Sequence, residues 1–147
     1  MPAERWMVYA GLSAVCAALV AILGKAGLKN VDPTLATVVR SMVMTVFLVI
    51  AGTALGAWSK LPGLREAGGK GLALIALGGV AGAVSWLFYF RALQLADASK
   101  VAPIDKLSVP IAIVLAVILL GERPSLVNWM GIGLVVAGAY LAALPAR

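Results

Sequence analysis

The chain has 147 residues, 63% of them hydrophobic and 12% charged, with a mean hydropathy of +1.04 and a formal net charge of +6. Soluble domains are roughly 45–50% apolar, so this composition reads as an integral membrane protein. The twelve Lys and Arg residues stand singly between apolar runs, which excludes nucleic acid as a partner, and one cysteine with no histidine excludes an internal disulfide or a structural zinc site.

Five apolar segments follow in order: Trp6–Gly24, Leu35–Trp58, Gly71–Phe90, Val101–Leu120 and Leu126–Leu144. Each is near the roughly 20 residues that cross a hydrocarbon core, so the expected fold is all-α, a single domain over residues 1–147 forming a bundle of five transmembrane helices. The first segment is longer than the about 7–15 apolar residues of a signal peptide, and further spans follow it, so it is read as a retained helix. Asp32 before Pro33 has the pattern of an N-cap with proline at N1, and Pro124 with Ser125 prepares the last span in the same way. The longest connection is expected at residues 59–70, with Pro62, Gly63, Gly68 and Gly69. Trp6, Trp58 and Trp129 fall where amphipathic rings favour the headgroup region. Trp86, followed by Phe88, Tyr89 and Phe90, lies further in and suits either a cavity lining or a lipid contact. Small residues four apart (Ser13, Ala17 and Ala21; Gly52 and Gly56; Gly78 and Gly82; Gly133 and Ala137) predict close-packing faces.

The fourth segment, VAPIDKLSVPIAIVLAVILL, is long enough to span yet carries Asp105 and Lys106. A charge within a bilayer costs about 2.5–3.5 kcal/mol even on insertion scales, so such residues face inward and mark pairs, pathways or gates. Pro110 has no N–H for the carbonyl of Lys106, which predicts a bend and a free carbonyl beside Asp105. Arg40 lies about one and a half turns into the second span and Asp105 about one turn into the fourth, and both helices start on the same side. An Arg40–Asp105 pair is therefore expected, with Lys106 on another face and Ser108 one turn further along. Asp105 is either a structural counter-ion or an acid that takes up a proton as a mouth opens. Glu122 and Arg123, in the last connection, are expected to neutralise one another.

Five spans put the termini on opposite sides. One side carries Arg5, Lys60, Arg65, Lys70 and Arg123; the other carries Lys25, Lys29, Arg91, Lys100 and Arg147. Orientation follows an excess of Lys and Arg on cytoplasmic loops, and here neither side has one. The expectation is dual insertion and an antiparallel homodimer, in which two copies of one chain reproduce the inverted repeat that many transporters encode within one polypeptide.

Residues 91–144 carry a polar turn with Ala98 and Ser99, then Val101, Ala102 and Pro103, then Pro110, the pair Gly121-Glu122, and a Gly-rich final helix from Trp129 to Gly138. This stretch resembles the EamA-like repeat of the drug/metabolite transporter superfamily. Members typically carry two such five-helix repeats in opposite orientation and move small metabolites, so the resemblance implies that a second copy supplies the missing half. Pro103, Gly121 and Glu122 are the family-signature positions. Arg40, Trp86, Tyr89, Asp105, Lys106, Ser108 and Pro110 are the candidates for substrate contact or gating. The expected function is secondary transport of a small organic metabolite or amphipathic compound, as efflux and driven by protons through Asp105, in the inner membrane. Expected partners are the small-molecule substrate, the lipid bilayer and the second copy, with no cofactor, no metal and no enzymatic activity. The alternative is a membrane scaffold or accessory subunit whose charges only hold helices together.

Overall fold

The computed structural model describes residues 5–144, in which every regular element is helical. Seven α-helices occur in chain order: α1 Arg5–Gly27, α2 Pro33–Ala54, α3 Leu61–Glu66, α4 Gly68–Leu95, α5 Ala98–Asp105, α6 Ser108–Leu115 and α7 Leu126–Ala143. Five stretches are long and apolar enough to cross a membrane: Arg5–Asn30, Pro33–Ala54, Gly68–Leu95, Ala98–Leu120 and Leu126–Ala143. The five expected spans are therefore present, with shifted ends. Large apolar side chains on every span face outward, among them Phe47, Phe88, Leu120 and Leu134, a surface that only lipid or another apolar body would cover.

Helix ends sit where local chemistry satisfies the backbone. The Asp32 carboxylate accepts the Leu35 N–H at 2.9 Å and Pro33 occupies N1, so α2 starts two residues before the apolar run suggests. The helix stops at Ala54 because Gly56 adopts a left-handed φ of 66°, which leaves Trp58 outside the span in a 3₁₀ turn, its indole N–H donating to Thr53 Oγ1 at 2.9 Å. The expected loop at residues 59–70 is partly helical: Pro62 near the start of α3 supports a short exposed turn of helix. Ser125 caps α7 by accepting the Asn128 N–H.

The contacts group into two units, residues 27–91 and the described part of residues 1–26 with 92–147. In the first, Pro33, Thr37 and Phe90 are buried. In the second, α5 and α6 pack on α7, and Ala21, Leu93 and Ala139 are buried. Of the small-residue faces, that of α1 is covered at Ala21, whereas a methyl group added at Gly78, Gly82 or Gly133 would meet no atom within 4 Å. Those faces are open in the single chain.

The fourth span is discontinuous. Pro103 lies inside α5, the helix ends at Asp105, and α6 begins at Ser108. Across the break the bonds shorten to three-residue steps: Lys106 N–H to Pro103 O at 3.1 Å, Leu107 N–H to Ile104 O at 3.0 Å, and Val109 N–H to Lys106 O at 3.0 Å. The helix is interrupted just before Pro110, and the Lys106 carbonyl is not free. The tighter turn supplies the donor that Pro110 lacks, the usual 3₁₀ repair of a proline in a span. The span closes in a widened π turn, Ala116–Leu120, followed by Gly121 with φ 72°. From there the Glu122 N–H returns to Ala116 O at 3.3 Å.

Candidate functional site

In the unit of residues 27–91, α2 and α4 form the first cluster. Thr37, Ser41 and Thr45 recur every four residues on α2, and each hydroxyl donates to the carbonyl one turn back, at 2.8, 2.8 and 2.9 Å. This commits the hydroxyl protons where water is absent and leaves the oxygens with lone pairs able to accept. With Val38, Met42 and Val46 of α2 and Ala83 and Leu87 of α4, the three hydroxyl residues wall a groove of about 520 Å³.

Arg40 comes seven residues after Pro33, about two turns into the helix rather than the one and a half counted from the start of the apolar run at Leu35. Its guanidinium lies 3.5 Å from the centroid of the Trp86 ring and 5.9 Å from that of Phe90. Tyr89 and Phe90 meet Trp86 edge-on at 5.5 and 5.8 Å, a three-ring cluster on one face of α4. Because α4 continues to Leu95, Trp86 stands well inside its helix rather than near its end. Arg40 Nη1 is enclosed and has no hydrogen-bond partner among the described residues. A cation over a ring gains about 0.5–2 kcal/mol, which offsets only part of what an unpaired buried donor loses.

In the other unit, Asp105 comes seven residues after Ala98, about two turns into the fourth span, at the last residue of α5. Within the unit of residues 27–91 Arg40 lies over Trp86, and within the other unit Asp105 meets Lys106. Lys106 Nζ stands 3.5 Å from Asp105 Oδ2. Adjacent residues on a helix point apart, but the long flexible stem of Lys106 brings its ammonium back to the neighbouring carboxylate. Both side chains of the pair are accessible, at 56% and 36%. Ser108 opens α6 and is exposed. Pro110 lines an apolar recess of about 420 Å³ with Leu107, Ile111, Val114, Leu115 and Val136.

Lys25 has a role that its place in the charge count did not reveal. Its ammonium donates to Leu93 O at 2.7 Å and Ala96 O at 2.8 Å, satisfying carbonyls at the C-terminus of α4. Lys25→Met should lower unfolding stability by about 1.5–3 kcal/mol, the range for hydrogen bonds to a charged group, read as the thermal midpoint in detergent.

The signature pair Gly121-Glu122 forms the left-handed close of the fourth span. No atom lies within 4 Å of a Cβ built at Gly121, so Gly121→Ala meets only the backbone penalty of positive φ, and a loss of about 1–2 kcal/mol is expected in the same measurement. Glu122 and Arg123 were expected to neutralise one another. They form no ion pair among the described residues, and both line a recess of about 480 Å³ with Ile113, Pro124, Asn128 and Ile132.

A family model described as EamA-like transporter family matches residues 4–144, a range that includes all five spans. The chain belongs to the EamA-like transporter family. A curated relative from Sinorhizobium sp., named "Uncharacterized transporter in cobO 3'region", is 40% identical over 141 residues, covering 96% of this chain and 98% of the relative. No solved structure matches. The family match extends the resemblance seen in residues 91–144 back through α1, α2 and α4, so that both clusters lie within the family's domain.

Sequence reasoning singled out Arg40, Trp86 and Tyr89 separately, and the structure brings them together. It likewise joins Asp105, Lys106, Ser108 and Pro110 at one helix break. What it missed was the hydroxyl stripe, whose signal was present: Thr37, Ser41 and Thr45 repeat at the spacing of one helix face.

Proposed function

We propose that this multi-pass family transporter exports a small organic metabolite or amphipathic compound across the inner membrane, by alternating access in an antiparallel homodimer, with Asp105 carrying the coupling proton. The observation that carries this reading is the interrupted fourth span. Irregular backbone at membrane depth is tolerated where it is buried in protein or lines a watered cavity, and discontinuous helices are where secondary transporters hold substrate and coupling ions. Here the interruption coincides with the acid. The acid's partner, Lys106, is the first residue of the turn between α5 and α6. The equal count of basic residues on the two sides supports the antiparallel assembly, although Arg147, one of the ten counted, lies outside the described residues. The open faces at Gly78, Gly82 and Gly133 offer close approach for a second copy.

A stabilisation screen of the purified protein over a metabolite collection tests the reading. A ligand of the folded state raises its melting temperature, and compounds found this way should undergo counterflow in reconstituted vesicles. Compounds that stabilise but never cross would favour the accessory-subunit alternative. Orientation is tested by tagging both termini: each tag should be reachable from both sides in about equal amounts, and one orientation for all copies would remove the antiparallel dimer.

A further inference from the structure

We propose that the recess at the link between the fourth and fifth spans is a lipid site, and that it takes a phospholipid whose zwitterionic headgroup carries a primary ammonium. The recess, about 480 Å³, is walled by Ile113 of α6, by Glu122, Arg123 and Pro124 of the link, and by Asn128 and Ile132 of α7. Its charges are one carboxylate and one guanidinium. Neither is engaged elsewhere, since among the described residues neither side chain has an ion pair or a hydrogen bond. One charge of each sign matches a ligand that also carries one of each, and penalises a net anion or a net cation by leaving a like charge beside it. The guanidinium of Arg123 has the fork that takes two phosphate oxygens, and the Glu122 carboxylate accepts from an ammonium N–H. Asn128 adds to the phosphate side: its Oδ1 already accepts from Ser125 Oγ at 3.0 Å, which leaves the amide NH2 as a donor.

Depth selects a lipid over a soluble zwitterion. Glu122 and Arg123 stand between the end of the fourth span at Leu120 and the start of the fifth at Leu126, the level at which headgroups lie. Ile132 is six residues into α7 and Ile113 seven residues before Leu120, so both lie about 10 Å further toward the membrane interior. The two isoleucines are half-buried and the two charged residues exposed. A charged mouth at the headgroup level above an apolar floor about 10 Å deeper follows the profile of a phospholipid, from headgroup to first acyl carbons. A free amino acid or aminoalkyl phosphate would use the charges and leave the floor uncovered. The site lies wholly within one unit and rests on the five-span fold, independent of the transport reading.

The test uses the full-length chain in phosphatidylcholine nanodiscs carrying a rising fraction of phosphatidylethanolamine or of phosphatidylglycerol, with melting temperature as readout. Phosphatidylethanolamine should raise the midpoint saturably, because its ammonium has the N–H groups that choline lacks, and phosphatidylglycerol should do so about ten-fold more weakly. Arg123→Gln should raise the half-saturating fraction of phosphatidylethanolamine about ten-fold, the scale of one lost hydrogen bond to a charged group. Glu122→Gln leaves a lone guanidinium, so its preference should swing to phosphatidylglycerol, a reversal that a purely structural role for Glu122 would not produce. No rise on adding phosphatidylethanolamine, an equal rise with phosphatidylglycerol, or a preference for phosphatidylethanolamine that both substitutions leave unchanged would overturn the proposal. Soluble phosphoethanolamine, added to the phosphatidylcholine nanodiscs, should have little effect. Stabilisation by it equal to that by the lipid would assign the recess to a soluble zwitterion and remove the lipid. Both substituted side chains are exposed, so folding should survive; if either variant fails to fold, the wild-type comparison of the three lipids and phosphoethanolamine decides alone.

Discussion

Two variants of this chain biased to opposite orientations should each transport about five-fold less alone than when produced together. The ten basic residues outside the middle of the spans divide five to each side, so a small addition decides the orientation. Ser59→Lys with Leu64→Lys adds two positive charges to one side at exposed positions around α3. Asn30→Lys with Val31→Lys adds two to the other, in the exposed connection between α1 and α2. A bias of about 1.4 kcal/mol leaves roughly one copy in eleven inverted, and since antiparallel pairs are limited by the minority orientation, transport should fall about five-fold from an even mixture. Co-expression of the two biased forms restores both orientations in equal amounts, and with them the transport. The measurement is counterflow in membranes whose tag accessibility has been mapped. Full activity of either biased form alone would show that one orientation suffices, and the inverted-copy architecture would be abandoned.

Much of this arrangement was legible in the sequence because a bilayer demands long apolar runs and punishes charge. Trp6–Gly24 and Val101–Leu120 could be recognised without knowing any contact. The ends were less legible: apolar character stops at Trp58, but α2 stops at Ala54, because a left-handed Gly56 and not hydropathy ends it. Arg40 stood out as a charge in a span, but its partner did not. Within its own unit the side chain packs on Trp86, a ring whose face attracts cations without any charge in the sequence to reveal it. At Asp105 the failure was geometric. Helical periodicity separates the Cβ directions of Asp105 and Lys106, but the four-carbon stem of Lys106 is long enough to return its ammonium to the neighbouring carboxylate. Lys25 was hidden for a third reason: its acceptors are backbone carbonyls, which every residue possesses.

Asp105→Asn should abolish transport driven by a pH gradient while leaving counterflow of the same compound in place. The amide keeps the size and shape of the side chain at the end of α5 but cannot take and release a proton, so the step that empties or fills the site survives and its coupling does not. Stability supplies the control. The Asp105–Lys106 pair is 3.5 Å long with both side chains accessible, and an ion pair of that kind contributes about 0–1 kcal/mol, so the melting temperature should move little. A purely structural counter-ion would give the reverse pattern, a large fall in melting temperature with whatever folded protein remains still responding to the gradient. Asp105→Glu, which restores an acid one methylene further out, should recover gradient-driven transport in part. Recovery separates the loss of a proton carrier from the loss of a shape, because asparagine preserves the shape better than glutamate does and yet should perform worse.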